Sequence, residues 1–569
     1  MSTVAKVIVE TLAAAGARRC YGIPGDTLNH VTDAIRDSDI RWIHVRHEEA
    51  GGFAAGADAL LTGELALCAG SCGPGSLHFI NGLFDSHRSR APVVLIASQI
   101  VRDEIGFDFP QEVDFKSVYA SCSVFCDEIR TPEQARRKTA MAAQAALAKG
   151  GVAVLIVPVD ISQAKATDEP HFAVHRASPH VRPSDVELTR IAAALGSGKR
   201  VAIYGGSGCQ HAHDQVLALA DRLNAPVAHT SRAKDFLEHD NPFDVGMTGI
   251  FGSEGGYHAL TSCDTLLLLG CDFAWRQFYP SKATIIQVDI DGSHLGRRHP
   301  VDIAVVGEVR DTLDALLPLL QPKQDRTFLD ECLEHHRRAV AYQRKHAVVN
   351  DDRPIHPQLL AETIAAKAAP DAIFSADSGS PMVWCLRHIP ATGRNRTLLS
   401  LTHGTMANAL PHALGAQAAF PDRQVISLSG DGGIAMLMGD LLTAVQEKLP
   451  IKICVFNNGS LGFVELEQKV EGLLDTYTGL QNPDFAAVAR AMGLAGRRVE
   501  KSSDLDSAVA DWLAEPGPAL LDAVVDRFEL VMPPKIEASQ MFGTALYSAK
   551  AVLAGRIGDV ASLVESAVM

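Results

Sequence analysis

No run of about 18 apolar residues interrupts this chain, and Met1 is not followed by the charged-then-apolar leader of an exported protein. Neither a membrane span nor export is therefore expected, and the cytoplasm is the expected compartment. The 11 cysteines contain no Cys-x-x-Cys. Cys68/Cys72 and Cys122/Cys126 are the closest pairs, but they lack histidine partners, so reduced core thiols are expected instead of a metal cluster or a disulfide framework. Positive charge is in deficit, with 52 Lys and Arg against 67 Asp and Glu and a net charge of −15. That balance excludes nucleic acid as a partner, because phosphate binding needs a basic face. The remainder is ordinary globular material, 47% apolar and 21% charged over 569 residues. A chain of that length outgrows a single core and implies about three domains.

Three α/β units are legible in a row, each with strands and helices in alternation. The first, residues 1–180, carries strand patterns at 41–45, 65–69 and 92–97 and a helix pattern at 76–88. A polar stretch rich in His, Pro and Ser at 163–183 reads as a linker. The second unit, 181–335, has strands at 200–204, 265–269 and 284–289 and a glycine-rich turn at 205–209, a weak nucleotide signal on its own. The third, 336–530, has strands at 371–376 and 519–525, and residues 531–569 form a tail. The expected fold is α/β, three consecutive doubly wound parallel-sheet domains. Units one and three share a rhythm without a residue-level repeat.

The densest chemical signal lies in the third unit. Residues 425–428 read as a strand, Gly430-Asp431-Gly432-Gly433 as a tight turn, 434–447 as a helix and 451–456 as a second buried strand ending at Asn457-Asn458-Gly459-Ser460. Two parallel strands joined by a helix deliver Asp431 and Asn458 to one carboxyl edge, where open α/β sheets bind ligands. Mg²⁺ takes octahedral oxygen ligands and shares them with phosphate. Asp431 offers a charged oxygen, Asn458 an amide oxygen and the backbone near Ser460 a carbonyl, while the glycines admit the main chain close to a diphosphate. This spacing resembles the thiamine diphosphate motif, a Gly-Asp-Gly followed a few tens of residues later by Asn-Asn.

A second element of that family is matched far away. His47-Glu48-Glu49 opens an Ala/Gly-rich helix after the strand at 41–45. Glu48 matches the family glutamate that hydrogen-bonds the aminopyrimidine nitrogen and favours the tautomer that activates the thiazolium carbon. Longer runs narrow the likeness: Arg46-His47-Glu48-Glu49, Cys68-Ala69-Gly70-Ser71-Cys72-Gly73-Pro74-Gly75, Asp240-Asn241-Pro242, Val245-Gly246-Met247-Thr248-Gly249, His403-Gly404 with Met406-Ala407-Asn408-Ala409, and Asn457-Asn458 with Leu461-Gly462-Phe463-Val464. Through them the chain resembles the pyruvate dehydrogenase (quinone) and pyruvate oxidase branch of the thiamine diphosphate-dependent enzymes.

The resemblance implies thiamine diphosphate with Mg²⁺ on Asp431, Asn458 and Ser460, and thiamine contacts from Gly432, Gly433, Gly459, Leu461, Gly462, Phe463 and Val464. Gly404 and Thr405 would touch the pyrimidine, and Met406 would bend the coenzyme. FAD would lie on Gly249, Ile250, Phe251 and Gly252, on Asp272, Phe273, Ala274, Trp275 and Arg276, and on Asp289 and Ile290. Phe463 would sit between thiazolium and flavin, making Glu48 and Phe463 the implied catalytic pair. The implied reaction is oxidative decarboxylation of pyruvate, or a similar short 2-keto acid, to acetate and CO₂, with electrons passed through FAD to a membrane quinone. A homotetramer is implied, with Glu48 and the diphosphate cradle meeting across a subunit interface.

Two departures stand out. Pro110, in Phe109-Pro110-Gln111-Glu112, occupies the phenylalanine position of the family's Phe-Gln-Glu loop, and proline fixes φ and removes an N–H. The tail, which in this family docks on lipid, has apolar residues at roughly helical spacing from Leu546 to Val564, but Gly543, Gly555 and Gly558 weaken a helix and the charges are balanced. It leaves open both peripheral attachment to the inner face of the cell membrane and packing on its own protein. Phosphate-dependent pyruvate oxidase and an acetolactate synthase-type carboligase remain as alternatives. A plain 2-keto acid decarboxylase often has adjacent histidines in its first domain, and here His335-His336 is the only such pair.

Overall fold

The computed structural model describes residues 2–168, 170–527, 529, 544 and 546–551. Three six-stranded sheets follow one another along it, and the strand pairings within them are parallel. Central strands such as Val93–Gln99 and Val152–Pro158 are buried along their whole length. Burial on both faces is the usual state of parallel sheets, because the crossover helices cover them.

Across the first sheet the strands run Arg41–His44, Arg19–Gly22, Ala66–Gly70, Val93–Gln99, Val152–Pro158, Phe125–Glu128. Across the third they run Arg396–Leu399, Ile373–Ala376, Val425–Gly430, Lys452–Asn457, Ala519–Val524, Ala495–Val499. Numbered within each unit, both orders are 2-1-3-4-6-5, so the shared rhythm in the sequence is a shared topology. The middle sheet differs. Its strands run Asp244–Met247, Val227–His229, Val201–Gly205, Thr265–Leu269, Thr284–Asp289, Ile303–Val306, the 3-2-1-4-5-6 order of dinucleotide-binding sheets.

Two expected helices are interrupted. The 76–88 pattern divides into Pro74–Leu77 and Ile80–Arg88, because the Ser76 carbonyl, needed to continue the first turn, accepts the Tyr119 hydroxyl instead. The 434–447 pattern divides into Asp431–Met436 and Leu441–Gln446. At the break Leu437 leaves helical geometry (φ −122°), and Asp440 is freed to accept the Arg46 N–H at 2.8 Å and the Thr443 hydroxyl at 2.9 Å. That bond ties the third unit to the first.

The two units also share an apolar cluster that includes Ala54, Phe79, Leu414 and Ile434. The helix Glu48–Thr62 crosses the helix Ala409–Ala419 where Gly415 meets Ala54, and a Cβ on Gly415 would lie 2.0 Å from the Ala54 carbonyl oxygen. Only glycine permits that approach, and overlap of this kind typically costs about 1–3 kcal/mol.

In the middle unit the glycines of the 205–209 turn serve packing. Cβ atoms on Gly206 and Gly208 would lie 2.2 Å from the oxygen and 2.7 Å from the Cα of Gly270. Nearby, Asp244 faces His229 Nε2 at 3.6 Å and His336 Nε2 at 3.8 Å, beside the Lys234–Glu238 ion pair. Burial and the Glu238 charge push its carboxyl up to about 8. The folded protein thus keeps a proton that the unfolded chain has lost, and stability from this group falls as pH rises from near 4 towards 8. Asp244→Asn stays neutral throughout and is expected to flatten the decline of the urea midpoint between about pH 5 and pH 8. An unchanged slope would place that pH dependence on other groups.

Candidate functional site

The third sheet reverses direction between Ile373–Ala376 and Val425–Gly430, and Asp377 and Asp431 follow those two strands directly. Asp377 is 2% exposed and accepts the N–H groups of Ala409 at 2.9 Å and Gly430 at 3.2 Å. Burial pushes its carboxyl up to about 6. A Cβ on Gly433 would lie 2.1 Å from Asp377 Oδ2, so the second glycine after Asp431 is required by this close approach. Asp431 is 3% exposed and accepts from Gly432 N at 2.8 Å, Gly459 N at 2.7 Å and the Asn482 amide at 2.8 Å. Burial pushes its carboxyl up, against those hydrogen bonds. The donors are all neutral, and among the described residues no cation of the chain pairs with this buried carboxylate.

Gly459 adopts a left-handed φ of +66°, turning the chain so that Asn458 Oδ1 accepts the Ser460 N–H at 3.0 Å. A Cβ on Gly462 would lie 2.9 Å from Asn458 Nδ2. The Ser460 side chain points inward to Glu465 at 2.5 Å, which leaves its carbonyl as its contribution to the cradle. Asp431 and Asn458, at the ends of neighbouring strands, thus offer one charged and one neutral oxygen, donor types that suit a hard cation shared with phosphate. Among the described residues no cluster of three or more His, Cys, Asp or Glu is placed to hold a metal, and a site with a single carboxylate does not require one.

Met406 closes the cradle from the side: a Cβ on Gly432 would lie 3.2 Å from Met406 Cε and 2.9 Å from Leu461 Cδ2. Gly404 (φ +74°) and Ala407 (φ +66°) are both left-handed, and for alanine that conformation is strained. Glu48 is 8% exposed, and its Oε2 lies 3.0 Å from His78 Nδ1. His78 in turn stacks on His47 at 4.9 Å, and His47 caps the helix by accepting the Glu49 N–H at 3.2 Å. Asn81 links the two halves: its amide donates to Glu49 Oε1 at 2.6 Å and to the Thr405 hydroxyl at 3.2 Å. Among the described residues, no hydrogen bond of the single chain joins Glu48 to the cradle at 431–464.

The three middle-unit loops expected to face a flavin follow the carboxyl ends of their strands. Gly249 has φ +109°, and a Cβ there would lie 3.2 Å from Phe273 and 3.6 Å from Trp275, so two of the loops touch. Trp275 and Ile290 are exposed, while Asp289 is buried, accepts the Asp291 N–H at 2.9 Å and faces His294 at 3.3 Å. The Asp272 carboxylate is taken by its own chain: Arg298 binds it at 2.8 and 3.0 Å and Arg297 closes on it as well. Burial alone would raise this carboxyl, but the guanidinium bonds hold it down at about 2, so its backbone is what remains free for a ligand. Phe251 reaches across to Phe463, ring centroids 6.1 Å apart. Arg387 of the third unit fixes that loop by donating to the Phe251 and Gly252 carbonyls, each at 3.1 Å.

Phe109 is exposed beside Pro110, and Gln111 is left-handed (φ +68°) with its Oε1 3.0 Å from Cys72 Sγ. Of the tail at 531–569, only residues 544 and 546–551 are described; the rest of the expected lipid-docking segment lies outside the described residues. Tyr547 and Ala551 pack with Leu474, and Lys550 donates to the Gly472 carbonyl at 2.8 Å. No helix among the described residues is long and apolar enough to cross a membrane.

Asp377, His78, Asn81 and Asn482 escaped the sequence reading. Asp377 directly follows the strand pattern at 371–376, at the carboxyl edge where open α/β sheets bind ligands, and was there to be found. Asn482 carries no local mark. It bridges Asp431 to Asn457 Oδ1 at 2.9 Å, and Asn457 donates to Asp522 at 2.9 Å, which pairs with Arg498 at 2.6 Å.

Family models match three segments: the N-terminal TPP binding domain of thiamine pyrophosphate enzymes over residues 2–118, their central domain over 188–316 and their C-terminal TPP binding domain over 377–523. Relatives include the putative thiamine pyrophosphate-containing protein YdaP of Bacillus subtilis, 34% identical over 99% of this chain and 98% of its own length. Pyruvate oxidase of Lactiplantibacillus plantarum is 31% identical, covering 91% of this chain and 88% of its own. Acetolactate synthase isozyme 1 large subunit of Escherichia coli is 30% identical, covering 95% and 98%.

Proposed function

The chain belongs to the thiamine pyrophosphate (thiamine diphosphate) enzyme family, and within it we propose a flavoprotein that oxidises pyruvate, or a short 2-keto acid like it, to acetate and CO₂ and passes the electrons through FAD to a quinone. When bound, thiamine diphosphate supplies the carbanion and electron sink for decarboxylation, and FAD supplies the two-electron acceptor. Asp431, Asn458 and the Ser460 carbonyl would hold Mg²⁺, and Gly432 and Gly433 would admit the diphosphate. Glu48 would hold a proton against the aminopyrimidine ring, and Met406 would support the coenzyme. Phe251, Phe463 and the loops at 249–252, 272–276 and 289–290 would line the flavin side.

The observation that carries the redox reading is the Phe251–Phe463 contact, 6.1 Å between centroids. It joins the expected flavin loop to the helix that starts beside the thiamine cradle, and Arg387 holds the junction from the third unit. The dinucleotide strand order of the middle sheet supports the same reading. A homotetramer is part of the proposal: among the described residues no hydrogen bond joins Glu48 to the cradle within one chain, and Met436, Val464 and Tyr477, on segments flanking the cradle, expose 57%, 42% and 95% of their surface. Attachment to the inner face of the membrane would bring the site to its quinone.

The test is anaerobic stopped-flow of the yellow holoenzyme against a panel of 2-keto acids, then mixing with a quinone analogue. Pyruvate is expected to bleach the flavin fastest, and the quinone to restore its colour. A colourless protein, or a flavin that pyruvate leaves oxidised, would overturn the redox reading. The acetolactate synthase among the relatives supports a second reading, carboligation of two keto acids, which would give acetolactate without bleaching.

A further inference from the structure

The helix Ile80–Arg88 of the first unit presents Asn81, Phe84 and Asp85 on one face, spaced i, i+3 and i+4. All three meet residues 400–405 of the third unit or their neighbours. Asn81 Oδ1 accepts from His403 Nε2 at 2.7 Å, and Phe84 stacks on the His403 ring at 5.6 Å. Asp85 is 2% exposed; its Oδ1 accepts the Ser400 hydroxyl at 2.6 Å and its Oδ2 lies 3.2 Å from His412 Nε2.

The directions of these bonds follow from one amide. Asn408 Oδ1 accepts the Ser378 N–H at 3.2 Å, and its Nδ2 donates to the Ala376 carbonyl at 3.0 Å and to His412 Nδ1 at 3.2 Å. His412 Nδ1 is therefore an acceptor and Nε2 carries the hydrogen that Asp85 receives. Ser400 gives its own hydrogen to Asp85, so its lone pairs are left to accept the Thr405 N–H at 3.2 Å and to share the Gly404 N–H, at 3.1 Å, with the Ser400 backbone carbonyl at 2.9 Å. A buried carboxylate on one domain thus orients a hydroxyl that grips two successive amides of the other.

We propose that Asp85, acting through Ser400, is a positioning residue for the Gly404-Thr405-Met406 turn, setting where that turn meets the aminopyrimidine and supports the coenzyme. The inference rests on the thiamine diphosphate reading given above. It assigns Asp85 no contact with substrate or cofactor: the carboxylate acts on the turn alone, from a site away from the diphosphate anchor at Asp431.

Ser400→Ala, Ser400→Thr and Asp85→Asn test it in the full-length holoenzyme. Ser400→Ala removes the hydroxyl acceptor, Ser400→Thr keeps a hydroxyl, and Asp85→Asn sets an amide donor against either the Ser400 hydroxyl or the His412 Nε2–H. Magnesium-dependent affinity for thiamine diphosphate is expected to stay within about threefold, because the anchor is untouched. The near-ultraviolet circular-dichroism band of the bound aminopyrimidine should change, and kcat should fall about 100-fold, the cost of a misplacement near 1 Å, with KM for pyruvate little altered. Ser400→Thr should recover most of both. A folded Ser400→Ala protein with the parent's band and a kcat within about twofold would overturn the relay alone; should Asp85→Asn fail to fold, Ser400→Ala against Ser400→Thr still decides. A parent protein that does not bind thiamine diphosphate would overturn both readings.

Discussion

Replacing Asp431 by alanine is expected to abolish magnesium-dependent retention of thiamine diphosphate. Asp431 is the charged oxygen donor of the proposed cradle, and its buried carboxylate is met by neutral N–H groups from Gly432, Gly459 and Asn482. Without it, a divalent cation would face an amide oxygen and a carbonyl only, too little to draw Mg²⁺ out of water. Loss of an outer-shell partner alone typically costs 10–100-fold in metal affinity, so loss of this ligand should exceed about 100-fold. The ligand-free protein should also lose stability, because the N–H groups of Gly432 and Gly459 and the Asn482 amide are left without their acceptor. The parent at 100 times Kd should gain about 2.7 kcal/mol from the coenzyme, and the variant should gain none. Calorimetric titration with and without Mg²⁺ measures this directly, and unchanged affinity would remove Asp431 from the anchor.

The second large effect is expected at Glu48. Glu48→Gln keeps the size of the side chain and a hydrogen-bonding partner for His78, which lies 3.0 Å from Oε2. On the proposed function it removes the capacity to hold and release a proton at the pyrimidine. Turnover should fall by about 10²–10⁴-fold, the range of a lost acid–base group. Thiamine diphosphate and flavin content should be unchanged, because the diphosphate anchor and the middle sheet are separate from this residue. Near-normal activity in a variant with full cofactor content would exclude Glu48 from proton handling.

Together the two variants dissect the site: Asp431→Ala should lose the coenzyme, and Glu48→Gln should keep it and lose turnover. The physical basis is their placement. Glu48 stands at the start of a helix in the first unit, and Asp431 at the switch point of the third sheet.

Alternation of strand and helix patterns announced three doubly wound units, because period-2 and period-3.6 burial is written locally along the chain. The turn at 430–433 and the Asn-Asn at 457–458 were legible for a related reason: a strand end, a glycine pair and an oxygen donor are consecutive in sequence. What escaped was non-local. Asn482 supports Asp431 from 51 residues away, and Asp85 reaches Ser400 across 315; neither has a neighbour in sequence that marks its role. The helix breaks at Leu437 and after Leu77 were hidden likewise, since they depend on Asp440 meeting Arg46 and Ser76 meeting Tyr119.

By itself, then, the sequence determined the fold class through short-range pattern and the family through its resemblance, and it singled out the residues proposed for the diphosphate anchor. Only the tertiary structure decided that units one and three share one strand order while the middle sheet takes another, that the glycines at 206 and 208 are used for packing, and that Asp272 is consumed by Arg297 and Arg298. Those outcomes turn on which side chains and backbones meet across distant parts of the chain, where packing and hydrogen-bond directions compete for the same groups.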